Sequence, residues 1–265
     1  MSSSSQAPRT ALEPVLATYF RHRSSFLLML AWPVVAWALL GRHVGPAASA
    51  IGLSVVASGG MLRLLAVRRI GRGARVHRAH ASAGLICSGP YKWTRNPLYV
   101  AAGLMLVGLA ALAGAGAFGS ALMFVATIVI YTPVVAHEEK ALSPLIGPAY
   151  QDYARATPRW LGLPRAWQAP TDADLTPWRE VFRREKGLVP GSLAAVVGVV
   201  LLRSDFLSIA SMFESTVRGL GLEPSLVVGL GFLLGAAVNS WSIDRKRRHR
   251  ARTSPKVATE DPSAS

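Results

Sequence analysis

Residues 97–139 read PLYVAAGLMLVGLAALAGAGAFGSALMFVATIVIYTPVVAHEE, and no charged residue interrupts them from Pro97 to Ala136. A bilayer crossing takes about 20 predominantly apolar residues, so this stretch is twice the length of one helix and reads as two. The turn between them is placed at Ala113-Gly114-Ala115-Gly116-Ala117, where repeated glycine weakens helical preference. A hairpin of this kind returns the chain to the face it left. It therefore carries the loop before it, Gly89-Pro90-Tyr91-Lys92-Trp93-Thr94-Arg95-Asn96, to the same side as His137-Glu138-Glu139 after it.

Further apolar, nearly chargeless stretches lie at 26–40, 46–62, 188–202 and 224–243. Together they predict an all-α fold: a polytopic integral membrane bundle of six helices. The stretches at 26–40 and 188–202 are short, and flanking Lys or Arg can extend them by snorkelling. Composition agrees. Of the 265 residues 51% are hydrophobic and only 16% charged, against about a quarter charged in soluble domains. The formal charge of +15 does not imply nucleic acid, because the basic residues lie between apolar runs and not in one soluble domain. Segments 1–25, 67–97, 137–187 and 244–265 hold 25 of the 29 Lys and Arg, which places both termini and the long loops in the cytoplasm. The first apolar run is read as an uncleaved helix, since 25 mostly polar residues precede it. The lone Cys87 leaves no intramolecular disulfide, zinc-finger spacing or C-x-x-C pair.

The organisation expected is a cytoplasmic segment over 1–25, a core over 26–164, a cytoplasmic or interfacial linker over 165–187, a helix pair over 188–243 and a basic, disordered tail over 244–265. Residues 1–10 are Ser-rich and expected to be disordered. The G-R-G at 71–73 lacks the strand that a dinucleotide fingerprint requires. Within the linker, residues 178–184 suit an interfacial helix bracing the run at 188–202, with Trp178, Val181 and Phe182 on one face.

The polar chemistry concentrates around Arg95-Asn96-Pro97. Proline at a first helical turn loses no internal hydrogen bond, and the free amides of a helix N-terminus suit an anionic or polar group. Arg95 adds a fork that grips carboxylates, while Tyr91, Trp93 and Tyr99 supply ring faces. The same residues also suit a headgroup belt. Glu138 and Glu139 are unfavourable at the negative end of a helix, so a partner is expected: a cation, or Arg95. Tyr150, Tyr153, Arg155, Pro158, Arg159 and Trp160 add phenols and guanidinium groups on the same side.

The stretch from about Leu85 to Leu163 resembles the isoprenylcysteine carboxyl methyltransferase and phospholipid methyltransferase superfamily. Three ordered blocks carry the resemblance: Gly89, Pro90, Tyr91, Arg95, Asn96, Pro97 and Tyr99; then Glu138, Glu139 and Leu142; then Gly147, Tyr150, Tyr153, Pro158 and Arg159. The resemblance implies an integral membrane enzyme that binds S-adenosylmethionine at the cytoplasmic face and methylates a lipid-like acceptor; the membrane expected is a bacterial cytoplasmic (inner) membrane. The family usually has His where Asn96 stands, and Asn cannot titrate.

Tyr91, Arg95, Asn96, Tyr99 and Glu139 are then expected to hold the cofactor. Arg155, Arg159 and Glu138 are expected to serve the reaction, the arginines by orienting the acceptor headgroup. Carboxylate chemistry needs no base; amine chemistry would need Glu138 or His137 to take a proton. Methyl transfer has no metal requirement. Two alternatives stay open: an NADPH-dependent membrane reductase of the sterol reductase type, and a non-catalytic membrane protein that retains the fold. The acceptor, the oligomeric state and the role of the C-terminal pair do not follow from the residues.

Overall fold

The computed structural model describes residues 18, 22–39, 44–70, 85–162, 175–203 and 209–253. The Ser-rich start, the G-R-G stretch, residues 163–174 with the first part of the expected linker, and the tail beyond Thr253 lie outside the described residues. Helices follow one another as α1 (Arg23–Leu39), α2 (Pro46–Ile70), a 3-10 turn (Gly89–Lys92), α3 (Pro97–Leu112), α4 (Gly116–Ile146), α5 (Pro148–Ala156), α6 (Trp178–Arg184), α7 (Leu188–Arg203), α8 (Ile209–Gly219) and α9 (Pro224–Thr253). No strand occurs among the described residues.

Among these, α2 and α4 are long and apolar enough to cross a membrane, and α6 with α7 adds a third span if the pair, bent by 54°, is taken as one. The apolar parts of α1 and α3 are shorter. The six-span expectation is therefore met in full bilayer length by two or three spans.

The hairpin forms where the glycines stand. Gly114 takes a φ of 89° at the end of α3, a conformation costly for residues with a Cβ. The Ala115 amide then reaches the Ala110 carbonyl at 3.0 Å and the Gly114 amide reaches Ala111 at 3.1 Å. These two bonds satisfy the last carbonyls of α3 in a Schellman arrangement.

α2 and α3 cross with their backbones nearly touching. A Cβ on Gly108 would fall 2.6 Å from the Gly52 carbonyl oxygen, and one on Gly59 would fall 2.9 Å from that of Ala101. Around this crossing Leu30, Val34, Val56, Leu106, Ala110, Met123, Tyr131 and Val134 form a common core. In lipid, where no hydrophobic force drives one helix onto another, such small-residue contact is what holds helices together.

Three elements differ from expectation. α2 runs on to Ile70, so Arg63 lies within the helix and not at its end. Its charge is tolerated because Glu185 meets it, Nε to Oε2 at 2.9 Å. α9 likewise continues through the basic run to Thr253, where a disordered tail was expected from residue 244. Lys and Arg are good helix formers, and nothing in the run up to Thr253 breaks the helix. Finally, α8 is an amphipathic helix between α7 and α9 with no counterpart in the sequence reading.

The C-terminal helices pack on the N-terminal ones. α9 lies along α1, and α7 touches α1, α2 and α3. The α1–α9 approach is close: a Cβ on Gly229 would meet Trp32 Nε1 at 2.7 Å.

Candidate functional site

The site is assembled from three segments that the helices bring to one end of the α3–α4 hairpin. The first is the loop 85–96. Within it, the Asn96 amide bonds Thr94 Oγ1 at 3.1 Å, and Pro97 occupies the first turn of α3. The second is the charged end of α4. The third follows α5 and runs back past the first: the Arg95 amide donates to the Pro158 carbonyl at 3.0 Å. Thr94 Oγ1 and Asn96 Nδ2 both donate to the Arg159 carbonyl, at 3.2 and 3.0 Å.

α5 locks this arrangement. Its inward face carries Tyr150 and Tyr153, buried with Cys87 between the loop and the helix. The Tyr153 hydroxyl donates to the Tyr91 carbonyl at 2.7 Å. Burial pushes the Tyr153 phenol well above its usual range, so it stays a neutral donor at any physiological pH.

At the centre stands Glu139, only 11% exposed. Arg159 reaches its Oε2 from Nη2 at 2.7 Å and from Nε at 3.0 Å. Arg95 Nη1 lies 3.4 Å from Oε1, and Asn96 Nδ2 lies 3.5 Å from the same atom. Arg95 is itself largely buried, 14% exposed, whereas Arg159 is 40% exposed. The hydrogen bonds that Arg159 donates to Glu139 raise its guanidinium above the ordinary value, against the opposing effect of burial. The Tyr150 phenol is pushed up to about 12, first by burial and then by the Glu139 carboxylate, with Arg95 pulling it down by charge and by a hydrogen bond.

Beside this ion cluster lies a second group. The Tyr99 hydroxyl donates to Glu138 Oε1 at 3.1 Å. Burial raises the Tyr91 phenol and the Glu138 charge raises it further. Tyr99 also stacks on Tyr131, with ring centroids 4.8 Å apart, which continues the aromatic wall down into the bundle.

Of the residues expected at the site, Tyr91, Arg95, Asn96, Tyr99, Glu138, Glu139 and Arg159 are brought together. Arg155 is not. It is 74% exposed and pairs with Asp152 at 3.2 Å. The reason is helical spacing: positions 150 and 153 of α5 face inward, so 152 and 155 face out. Asn96 binds through its side-chain amide and needs no titratable group for that. Sequence reasoning left Thr94 unassigned although it is buried and bridges two segments. Its hydroxyl two residues before the helix cap was the available signal. Tyr150 was seen as a nearby phenol but not as a partner of Arg95.

One donor in the cluster is unused. Arg95 Nε is buried and has no hydrogen-bond partner among the described residues. A buried guanidinium donor of this kind suits a carboxylate.

No curated protein and no solved structure matches the chain. Over residues 47–148, which take in α2, the loop, α3, α4 and both glutamates, the chain matches the family model described as phospholipid methyltransferase, in agreement with the resemblance its motifs carry.

Proposed function

We propose that the protein is an integral membrane methyltransferase that uses S-adenosylmethionine and a lipid-like acceptor, with the Arg95–Glu139 region as its donor site. One observation supports this most strongly. Three segments distant in sequence converge on Glu139, and two of them lie within the phospholipid methyltransferase match. In this reading α1, α2, α3, α4, α7 and α9 are six crossings with both termini cytoplasmic, following the basic loops. Residues 26–164 form the catalytic unit, and 188–243 support it from the α1 side.

The donor set fits such a cofactor. Arg95 Nε is a buried donor awaiting an anionic oxygen, and the Tyr91 and Tyr99 rings beside Glu138 suit a cation. When bound, S-adenosylmethionine supplies an electrophilic methyl group on a sulfonium. The chain's own task is alignment and exclusion of water. Glu139 holds Arg95 and Arg159 in fixed positions. Arg159, the more exposed of the two, orients an acidic or zwitterionic acceptor headgroup. For an amine acceptor, Glu138 takes the released proton; for a carboxylate acceptor no such base is needed.

A second reading, a non-catalytic membrane protein that retains the fold, draws on the saturation of Glu139 by Arg159, Arg95 and Asn96. Such a cluster can exist for structure alone. Incubating membranes that contain the protein with methyl-labelled S-adenosylmethionine separates the two. Label in the lipid fraction, lost in Arg95→Ala, supports the enzyme. No label above that of membranes lacking the protein, across phosphatidylethanolamine and prenylcysteine acceptors, supports the non-catalytic reading.

A further inference from the structure

We infer that Arg68, Thr176 and Trp178 form a binding site for the phosphate of a phospholipid headgroup at the C-terminal end of α2, apart from the Glu139 cluster. α2 is a bilayer-length apolar helix, and Arg68 and Arg69 stand in its last turn. The end of such a helix lies at headgroup depth. Arg69 turns one way and donates to Ser88 Oγ at 2.7 Å. Arg68 turns the other way, its guanidinium carbon 4.5 Å from the centre of the Trp178 ring.

The charge on Arg68 is unmatched among the described residues. Glu185, the nearby acid, is engaged by Arg63 through Nε at 2.9 Å and Nη2 at 3.4 Å. Glu180 pairs with Arg183 and Arg184. No carboxylate lies within ion-pair distance of Arg68 among the described residues, and its Nε is buried with no acceptor.

Thr176 gives an independent indication. Its amide donates to the Arg68 carbonyl at 3.0 Å, which ties the two residues together. Thr176 is only 4% exposed, yet its hydroxyl has no partner among the described residues. Buried polar atoms are nearly always hydrogen-bonded. Two orphaned donors on residues joined by their backbones therefore call for one oxygen-rich acceptor. A guanidinium stacked on an indole presents its edge to such a ligand, and its planar fork matches a phosphate.

The surroundings identify the source of that phosphate as a lipid. Leu65, Leu175, Trp178 and Phe182 are exposed large hydrophobic side chains on the helices and the segment around Arg68 and Thr176. A free phosphate ion has no use for them, whereas an acyl chain does. Because Arg69 holds Ser88 of the site loop, a lipid held by Arg68 also steadies the helix end from which that loop departs.

The test uses the full-length protein, delipidated in detergent and titrated with phosphatidylglycerol while bound lipid is counted by native mass spectrometry. Thr176→Val keeps the shape and removes the hydroxyl, and Arg68→Gln removes the charge. The wild type should hold one lipid that Arg68→Gln binds about tenfold more weakly, the effect of losing one charge-assisted contact. Thr176→Val should weaken it in the same direction with the thermal midpoint unchanged, which keeps the test valid if Arg68→Gln does not fold. Millimolar inorganic phosphate should not displace the lipid, and diacylglycerol should not occupy the site. Wild-type retention by Thr176→Val and Arg68→Gln would overturn the site. Displacement by inorganic phosphate would overturn the lipid assignment, and equal binding of diacylglycerol would overturn the phosphate contact.

Discussion

Arg159 Nη2 sits 2.7 Å from Glu139 Oε2, although the two residues are 20 apart in sequence and belong to different segments. Arg95, from a third segment, approaches the other oxygen at 3.4 Å. Glu139 is thus the common point at which the loop before α3, the end of α4 and the segment after α5 are fastened. Any ligand that contacts Arg95 or Arg159 meets groups whose positions this carboxylate fixes.

Glu139→Gln should destabilise the protein markedly. Removing one partner of a buried pair costs about 3–5 kcal/mol, and the exposure of Arg159 puts this case toward the lower end. In detergent the thermal midpoint should fall by at least about 5 °C, given roughly 2–4 °C per kcal/mol at this size. Arg159→Ala should lower it less, because Arg95 and Asn96 still meet the carboxylate. An equal effect of the two would contradict the ranking by burial.

Arg155 offers a contrast on the same helix. Its pair with Asp152 is an exposed one at spacing three, worth at most about 1 kcal/mol. Arg155→Ala should leave both the thermal midpoint and any methyl transfer at wild-type levels, while Arg159→Ala reduces transfer. Loss of transfer in Arg155→Ala would place the acceptor on the outer face of α5.

The α2–α3 crossing tolerates no added atom. Gly108→Ala would set a methyl carbon 2.6 Å from the Gly52 carbonyl oxygen and 2.7 Å from the Val56 amide nitrogen. The backbones must separate, at a cost of about 1–3 kcal/mol for overpacking. Gly60→Ala, with nothing within 4 Å, should be neutral or slightly stabilising. Thermal unfolding of the two single variants in one detergent checks the difference.

The sequence disclosed the hairpin because lipid imposes a simple rule on length and charge, and because glycines marked its turn. It disclosed the three blocks because their residue types are conspicuous beside apolar runs. It could not show that Arg155 points away while Arg159 points in, since α5 is short and its inward face is fixed by packing on Cys87 and by the Tyr153 bond to Tyr91. The unbroken course of α2 past Arg63 was hidden for a similar reason. A charge in an apolar run marks a helix end unless a distant acid meets it, and Glu185 lies 122 positions further along the chain. α8 carried too few apolar residues to register beside membrane-length runs.

The buried phenols set a pH limit. In the folded protein burial pushes the Tyr150 phenol up to about 12, above its usual 10. A raised value means that the folded state keeps its proton longer than the unfolded chain does. The stabilisation is therefore complete below pH 10 and is lost as pH rises from 10 toward 12. Tyr91 and Tyr153 are raised as well and act in the same direction. Stability should be insensitive to these groups between about pH 6 and 9 and fall beyond 10. Tyr150→Phe should make that fall shallower. An unchanged slope would show that Tyr150 titrates normally.

The most direct measurement is equilibrium binding of S-adenosylmethionine to the purified protein in detergent, comparing the wild type with Arg95→Ala. The wild type should bind, and Arg95→Ala should bind at least about tenfold more weakly, the effect of one lost charge-assisted hydrogen bond. Binding by Arg95→Ala at wild-type strength, or none by a folded wild type, would contradict a donor site built around Arg95 and Glu139.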